Sequence, residues 1–525
     1  MSETGKFFKP KGNKYRVFAF IILMKAENKE QNYGHILKYT GIFGGVQGLN
    51  ILIGLVRNKI VAQLLGPGGM GLVALFNSTV NFVSQATNMG ISFSAVRHVS
   101  ELFDTGDKER IAHFVKVVRA WSLLTALLGM LVCIVAGPLL SSYTFSWGDH
   151  TLHFIMLAPA VGLTALCGGE TAILKGARQL RPLAMIQLAM VFISLIITVP
   201  IYYLFGQTGI VPVMVLMALA TMLLTLRYSY RLYPLKLSGS RGILGEGMEM
   251  VRLGVAFVLA GVLGSGAEML VRAYLNVKGD LDTLGLYNAG FMLIVTYAGT
   301  VFSAMETDYF PRLSACCHDR GQMMLTVNRQ IEVSFLMMAP MLVGLIVALP
   351  ILIPMLFTNE FLPVVSMAQV AVFSMYIKAV SLPISYLMLA RGDSVAYLCM
   401  EAIDDVLLVL LMIACYDRWG LFGTGVALTL SYFIDIIIAY VYTYLRYGYR
   451  VSLQVMQYLA IQTPLGIGAY LLTFVDQPFI YWALGVMLFM ASTAISLYIL
   501  HQKTSLWTAL TRKYKSIHNS QREKE

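Results

Sequence analysis

Long apolar runs separated by short polar segments make up almost the whole chain. Fourteen of these runs are long enough, at 1.5 Å per residue, to cross about 30 Å of hydrocarbon as helices. They cover residues 37–56, 70–94, 115–136, 151–173, 183–205, 208–226, 251–271, 284–305, 332–355, 362–387, 396–415, 421–445, 455–474 and 479–500. The pattern predicts an all-α polytopic membrane protein with about 14 transmembrane helices.

One stretch of the pattern occurs twice, about 214 residues apart, at 57–100 and 272–314. In each copy an arginine closes an apolar run, and a Gly-Leu pair that starts at Gly71 or Gly285 opens the next run. Both copies end in a basic residue, an aliphatic residue and a serine. The chain is therefore interpreted as two pseudo-symmetric six-helix lobes that face one cavity.

The longest polar segment between spans separates the first six spans from the next six. Since six is even, both halves begin on the same side of the membrane, which predicts a parallel repeat about an axis along the membrane normal. The predicted parts are a cytoplasmic N-terminal segment (1–35), a first lobe (36–230), a linker (231–250), a second lobe (251–450), an extra transmembrane pair (451–500) and a basic cytoplasmic tail (501–525). Met24 resembles an ordinary start, so residues 1–23 are attributable to an upstream start codon.

Composition excludes a soluble fold. Hydrophobic residues make up 57% of the chain and charged residues 13%, where soluble domains have about 25% charged residues. The net charge of +11 is carried by short loops, which points to membrane topology and not to nucleic acid. With the N-terminus inside, five of the 39 Lys and Arg residues fall outside: Arg57, Lys59, Arg272, Lys278 and Arg418. Lys378 falls inside a span, and both chain termini are predicted to be cytoplasmic.

Sequence motifs give no sign of an enzyme. The chain has no GxxxxGK[ST] phosphate loop, and its outer loops of about 5 to 15 residues carry no Ser/His/Asp or paired-carboxylate constellation. The six cysteines lack CxxC or Cys/His ligand spacing, so neither a disulfide framework nor a zinc site is predicted. We expect no cofactor and no metal.

Cations at the ends of two spans are the first candidate site. Arg57 and Lys59 follow the first span, and Arg272 closes the seventh, so the repeat pairs Arg57 with Arg272. Two cations facing one cavity would suit a diphosphate, because a guanidinium can hold phosphate oxygens bidentately. The alternative is that they extend to the interface or pair locally, as Glu268 could with Arg272 at i, i+4.

Charged residues within the second lobe form another candidate group. Lys378 precedes the turn at Arg391 by 13 residues and Asp404 follows it by 13, so an antiparallel hairpin places both at one depth. Three more acids reach about the same level: Glu401, Asp405 and Asp435. The group either binds a coupling cation or proton, or contains a structural ion pair of Lys378 with an acid.

Polar residues elsewhere in the spans have less specific interpretations. Amides along spans one and two either contact sugar hydroxyls in a wet cavity or bond between helices: Asn50, Asn77, Asn81, Gln85 and Asn88. Glu170 is predicted to be an interfacial residue with a local partner, five residues before Lys175.

Several segments together resemble the Wzx-type lipid-linked oligosaccharide flippases of the multidrug/oligosaccharidyl-lipid/polysaccharide exporter superfamily. They are LLGPGGMGL after span one, ILKGARQ after span four, the 272–312 stretch, and the run from FTNEFLPVV to CMEA across spans nine to eleven. The resemblance covers about residues 36–450. The two additional terminal spans are more similar to the fourteen-span peptidoglycan-precursor flippases.

This resemblance implies two six-helix lobes around a central cationic cavity that alternate between inward-open and outward-open states. The implied cargo is an undecaprenyl-diphosphate-linked glycan carried across the bacterial inner membrane for O-antigen or other surface polysaccharide synthesis. Polysaccharide polymerase and other assembly proteins are the implied partners. The basic positions that match the family are Lys59, Arg272 and Lys378.

The leading hypothesis is therefore a flippase in which Lys59 and Arg272 attract the diphosphate, with Arg57, Asn77 and Asn81 beside the path. The alternatives are a cation-coupled multidrug exporter or a peptidoglycan-precursor flippase of the same superfamily, and, as a different class, a polymerase or glycosyltransferase.

Overall fold

Helices account for all the regular structure that the computed structural model of the chain describes, namely at residues 13–145, 148–234, 245 and 247–503. Within these ranges nine helical stretches are long and apolar enough to cross a membrane. The chain is an all-α polytopic membrane protein, and this prediction from the apolar pattern is confirmed. Residues 1–12, most of the linker (235–244 and 246) and the tail from 504 lie outside the described residues.

The helices follow the predicted order of spans. Their bounds are α1 Asn13–Thr87, α2 Ile91–Thr105, α3 Lys108–Val135, α4 Gly137–Thr144, α5 Thr151–Gly176, α6 Leu180–Phe205, α7 Ile210–Leu232, α8 Met248–Lys278, α9 Leu281–Phe291, α10 Gly299–Cys316, α11 Arg320–Leu356, α12 Val364–Ala390, α13 Ser394–Tyr447, α14 Leu453–Leu471 and α15 Pro478–Lys503. A π-helical segment, Met292–Tyr297, joins α9 to α10.

Two pairs of predicted spans form single long helices, each bent at a glycine. Gly66 bends α1 with φ 66° and ψ −176°, and Gly420 bends α13 with φ 57° and ψ −140°. Only glycine adopts such angles without steric cost, and Pro67 suits the first turn of the arm that follows Gly66. We call the side of the bundle with these two bends the kink end and the opposite side, with the turn at Gly392, the linker end.

Short polar residues start several helices by accepting bonds from free backbone N–H groups. The Asp107 carboxylate accepts from the amides of Glu109 and Arg110, both at 3.1 Å, at the start of α3. Asp280 does the same for α9, Asp319 for α11 and Ser452 for α14. Each cap offsets the loss of hydrogen bonds at a helix start by about 1 kcal/mol.

The halves pack as two groups of helices that meet along α1, α8 and α9. In the first half α5 packs against α3 and α7, and in the second half α13 packs against α12. The extra pair α14 and α15 packs on α11. The glycines of the repeat lie in direct contact, because a Cβ atom on Gly71 would lie 2.9 Å from the Gly285 nitrogen.

Span two was predicted to run to residue 94, but the helix ends at Thr87. A left-handed turn at Met89 and Gly90 separates it from α2. One face of α2 packs on α3 and α5 in a small buried cluster at the linker end, and the other face carries the exposed Arg97–Glu101 pair at 2.8 Å. The polar face, which cannot enter hydrocarbon cheaply, explains the early end of the span.

Candidate functional site

The two arginines of the repeat, Arg57 and Arg272, line one cavity of about 460 Å³. The cavity lies between α1, α5, α6 and α7 of the first half and α8 and α9 of the second. The guanidinium of Arg57 donates to Oδ1 of Asn58 at 3.3 Å. The predicted pairing of Arg57 with Arg272 across one cavity therefore agrees with their positions.

Arg272 is almost entirely buried and already has a carboxylate partner. Its Nη1 donates to Oε2 of Glu268 at 2.8 Å and to the Glu268 carbonyl at 3.3 Å. The ring of Phe291 lies 5.4 Å from the guanidinium carbon. Among the described residues only Nη1 is engaged, so the remaining N–H donors of the planar group stay available to an anion in the cavity.

Both arginines lie deeper than the span boundaries predicted. The apolar runs end at residues 56 and 271, yet the helices continue to the bend at Gly66 and to Lys278. At 1.5 Å per residue, Arg57 and Arg272 lie about 12 Å and 9 Å inside their helix ends. The helices therefore extend beyond the apolar runs at this end, and the assignment of both arginines to the outer side stays a prediction.

Lys59 lies outside the arginine cavity. Its Nζ donates to the carbonyl oxygen of Pro354 on α11 at 2.6 Å. Two residues on a helix point about 200° apart, so Arg57 and Lys59 cannot both face the same cavity. Between them, Asn58 donates to the Tyr297 hydroxyl at 2.8 Å. Span one thus contacts the second half on one side and the cavity on the other.

A row of amides extends the cavity along the second arm of α1. Asn77 and Asn81 line the arginine cavity, and Asn81, Gln85 and Asn88 line an adjoining one of about 520 Å³. The spacing of four residues places Asn77, Asn81 and Gln85 on one face of α1, and Asn88 follows directly after the helix ends at Thr87. All four amides therefore line a cavity, and Asn88 also bonds to the next helix by donating to the Ser92 hydroxyl at 2.6 Å. The side chain of Asn50 lies outside the described residues.

The row continues into a third cavity of about 430 Å³ that reaches Lys175 at the linker end. Thr164 lines all three cavities, and Ser92 and Gly168 line the last two. The hydroxyls of this path and its terminal lysine were missed because isolated Ser, Thr and Lys residues carry no sequence signal. Together the three cavities form a polar path along the first lobe, which we call the polar path.

Contacts between the halves close the kink end of this path. Gly71 packs against the backbone of Leu281 and Gly285, and Gly68 packs beside Asp282. Nearby, Nδ2 of Asn276 donates to the Thr144 carbonyl at 2.8 Å. These contacts, with those of Asn58 and Lys59, place both arginines behind a closed kink end.

The second candidate group gathers within the second half, on α12 and the two arms of α13. Ser431 donates to Asp404 at 2.8 Å, and the Lys378 ammonium lies 5.8 Å from the Tyr432 ring and 5.9 Å from the Phe302 ring. Asp435, on the second arm of α13, lies near Ser381 of α12. Among the described residues no three carboxylate, His or Cys groups converge on a point that could hold a metal ion.

One member of this group approaches the arginine cavity. Asp405 faces α8, because a methyl group on Gly264 would lie 3.7 Å from Asp405 Oδ2. The acidic side chains near it are those of Glu401, Asp404 and Glu268. Since Glu268 holds Arg272, a line of carboxylates connects the second-half group to the cavity.

Glu170 differs from its prediction as an interfacial residue with a local partner. Its carboxylate is buried and accepts from Arg119 Nε at 2.8 Å and from the Ser229 hydroxyl at 2.5 Å. Arg119 also donates to the Tyr233 carbonyl at 2.9 Å. This network ties α3, α5 and α7 together at the linker end, so Glu170 is a structural residue there.

The sequence matches one protein family. Residues 60–366, more than half of the chain, match the model of a family described as polysaccharide biosynthesis protein. No curated protein matches the sequence.

Solved structures of membrane proteins share the fold. The inward-facing conformation of a multidrug resistance MATE family transporter of the MOP superfamily superimposes with a TM-score of 0.65 at 16% identity, over 76% of this chain and 94% of that chain. Lipid II flippase MurJ in its inward closed conformation gives 0.66 at 14% identity, over 88% and 99%. An outward-facing MATE family transporter gives 0.50 at 16% identity, over 78% and 94%. At such identities the likeness establishes the fold alone.

Proposed function

The chain belongs to the polysaccharide biosynthesis protein family, and from this premise we propose that it is a transporter that moves an undecaprenyl-diphosphate-linked oligosaccharide across the bacterial inner membrane. The movement runs from the cytoplasmic to the periplasmic leaflet, by alternating access of the two halves. The observation that carries the proposal is the cavity that Arg57 and Arg272 share, one from each repeat copy.

The chemistry of that cavity suits a diphosphate joined to a sugar. Two guanidinium groups can hold phosphate oxygens bidentately, and burial strengthens such charge-assisted bonds. The amides and hydroxyls of the polar path offer both donors and acceptors, as sugar hydroxyls require. The prenyl chain stays in lipid while the head group enters the path.

The closed kink end corresponds to a state that loads from the other side. Arg57 and Arg272 are reached through the polar path, whose last residues lie at the linker end. The better superposition on an inward-facing relative than on an outward-facing one supports the same state. With the predicted orientation, the linker end is cytoplasmic, where the lipid-linked sugar is made.

We propose energy coupling through the second-half group. Lys378, Glu401, Asp404, Asp405 and Asp435 exchange a proton or cation, or respond to the membrane potential. The route to the cargo runs from Asp405 to Glu268 and so to Arg272. A change of charge at Asp405 would alter how firmly Glu268 holds Arg272, and so its availability to phosphate.

A peptidoglycan-precursor carrier is the second candidate. The specific observation in its favour is coverage: the lipid II flippase superimposes on 88% of this chain and the inward-facing MATE transporter on 76%. The shared arginine cavity counts against an exporter of organic cations, because two guanidinium groups repel a positive cargo.

The test is transport in liposomes that contain the purified full chain and a fluorescent polyprenyl-diphosphate oligosaccharide. An impermeant quencher reports the fraction of glycan in the outer leaflet. Arg57→Gln and Arg272→Gln should each slow the exchange at least tenfold, while Arg231→Gln, an exposed arginine at the end of α7, should not. Equal exchange in all three variants would refute the cationic-cavity proposal.

Complementation distinguishes the cargoes in cells. At low expression the chain should restore glycan export in a strain without its oligosaccharide flippase, and Arg272→Ala should fail although it inserts normally. Rescue of a strain lacking its peptidoglycan-precursor flippase instead would favour the second candidate. Drug resistance conferred by the chain without glycan export would favour the exporter.

A further inference from the structure

Three arginines line a separate cavity of about 970 Å³ at the linker end of the second half. Arg312 lies near the end of α10, Arg329 lies on α11, and Arg450 lies in the turn before α14. One carboxylate, that of the buried Glu332, also lines the cavity. Three cations against one anion leave the cavity positively charged.

The depth of the cavity follows from the length of α11. The helix has 37 residues, about 55 Å at 1.5 Å per residue, which exceeds the roughly 30 Å of hydrocarbon. Its apolar run begins at residue 332, so the first 12 residues project beyond the hydrocarbon. Arg329 lies three residues before this apolar run, about 5 Å along the helix axis.

A buried amide fixes one wall of the cavity. Nδ2 of Asn328 donates to the Arg450 carbonyl at 3.0 Å, and its Oδ1 accepts from the Ser452 amide at 2.8 Å and the Tyr449 hydroxyl at 3.2 Å. These bonds fasten the turn before α14 to α11. The backbones that carry Arg329 and Arg450 are consequently held in a fixed relation.

Exposed apolar side chains continue from the cavity along α11. Leu325 and Val333 line the cavity and are 42% and 37% exposed, and Met337 and Met341 follow at four-residue steps. Residues four apart form a ridge on one face of a helix. A charged cavity at the linker end thus adjoins an apolar ridge that runs along a helix long and apolar enough to cross a membrane.

We propose that the cavity lined by Arg312, Arg329 and Arg450 binds the phosphate-bearing head group of a membrane lipid. The chain of that lipid lies along the apolar ridge of α11. Basic pockets between transmembrane helices on the cytoplasmic side bind anionic head groups, and arginine is suited to phosphate by its planar fork of donors. The shared chemistry is a lipid phosphate. Its source is either an anionic phospholipid or the prenyl diphosphate of a lipid-linked glycan.

The duplicated fold does not by itself create this site. Arg312 is the basic residue at the end of the second repeat copy, and its counterpart in the first copy is His98. His98 stacks on Phe114, with ring centroids 5.5 Å apart, and contacts the Ser94 carbonyl at 3.1 Å. The cavity lined by Arg312, Arg329 and Arg450 is thus a feature of the second half.

Equilibrium lipid binding tests the proposal without transport. The purified full chain is placed in phosphatidylcholine nanodiscs and titrated with fluorescent phosphatidylglycerol or, separately, undecaprenyl diphosphate. The Arg329→Gln/Arg450→Gln double variant removes two exposed side chains and keeps the Arg450 carbonyl bond. Arg231→Gln, at the linker end of α7, is the matched control.

The double variant should bind at least one of the two anionic lipids roughly 30-fold more weakly, as expected from about 1 kcal/mol for each arginine near a membrane surface. A loss for phosphatidylglycerol alone assigns the site to phospholipid, and a loss for undecaprenyl diphosphate alone assigns it to the glycan carrier. Unchanged binding of both lipids, or an equal loss in Arg231→Gln, overturns the proposal. A chain that binds lipid normally but fails to exchange glycan would contradict only the proposed transport.

Discussion

Gly71 and Gly285, equivalent residues of the two repeat copies, pack backbone against backbone at the kink end. A Cβ atom on Gly285 would overlap the Pro67 carbonyl, and one on Gly71 would overlap the Leu281 carbonyl. Each glycine is the fifth residue of its helical arm, counted from Pro67 and Leu281. The repeated Gly-Leu pair that first indicated the repeat is therefore also a place where the backbones of the two halves pack directly against each other.

Adding a methyl group at this contact should open the kink end. In Gly71→Ala or Gly285→Ala the new Cβ meets backbone atoms, which cannot rotate away, so the halves must separate. A cysteine at Asn77, in a chain without its six native cysteines, should then react at least threefold faster with an impermeant thiol reagent added from the kink side.

Gly299→Ala is the control for this experiment, because a Cβ on Gly299 meets no atom within 4 Å. In the Gly299→Ala chain the cysteine that replaces Asn77 should react with the thiol reagent as fast as it does in the parent. If Gly71→Ala labels no faster than Gly299→Ala, the glycine contact does not hold the kink end closed.

Replacing Arg57 and Arg272 by lysine tests whether phosphate binding depends on the forked shape of the guanidinium group or only on its positive charge. Lysine keeps the positive charge but loses the fork that holds two phosphate oxygens. We expect Arg57→Lys and Arg272→Lys to be expressed like the parent. The rise in unfolding temperature that inorganic diphosphate produces should be at least fivefold smaller in each variant than in the parent. Glu268→Gln should strengthen that protection, because Arg272 loses its carboxylate partner. Equal protection of parent and lysine variants would contradict bidentate binding.

Breaking the Arg119–Glu170 network should destabilise the first half. The side chains are only 10% and 6% exposed, and an unpaired buried carboxylate costs about 3–5 kcal/mol. Arg119→Met should therefore lower the unfolding temperature measured in detergent, and Arg119→Met/Glu170→Met should recover most of the loss. Arg110→Met, whose partner Asp107 lies at 3.2 Å on the surface, should cost less than about 1 kcal/mol.

Acid should remove the contribution of Asp393 to stability. Hydrogen bonds from Tyr447 at 2.7 Å and Tyr442 at 3.0 Å lower the pKa of this carboxyl in the turn between α12 and α13. A lowered folded-state pKa gives stability that is present above the usual value of about 3.9 and lost as the pH falls through the folded value.

The measurement is the difference in unfolding temperature between the parent and Asp393→Asn. It should stay constant from pH 8 to 5 and shrink below about pH 4, where the parent protonates. Asp476→Asn, at an exposed turn, should match the parent throughout. A difference that does not change with pH would mean that the tyrosines bond the neutral acid equally well.

The architecture was largely readable from the sequence because apolar length is a strong signal in a membrane. The order of spans and the Gly-Leu echo need only composition and spacing. Boundaries were less accessible at Arg57 and Arg272, where a helix continues through a charge that faces a cavity. Hydropathy cannot distinguish such a residue from one in a loop.

Partners across helices could not be predicted from spacing along one helix. The i, i+4 rule found Glu268 for Arg272, and the hairpin argument brought Lys378 and Asp404 to one depth. Spacing along one helix did not find the partner of Glu170, because Arg119 is 51 residues away. It also did not find the partner of Lys59, whose acceptor is a backbone carbonyl. Backbone acceptors exist at every position, so no sequence pattern marks them.

The Gly71–Gly285 contact also bears on how the chain arose. In a symmetric dimer of six-helix subunits, a residue on the two-fold axis meets its own copy, so one glycine would have served both sides of the contact. The polar path is lined mainly by the first half, and the cavity of Arg312, Arg329 and Arg450 lies within the second half, so neither has such a self-complementary form. The contact between halves is therefore compatible with duplication and fusion of a six-helix ancestor, whereas the proposed division between cargo handling and lipid binding requires two halves that have diverged.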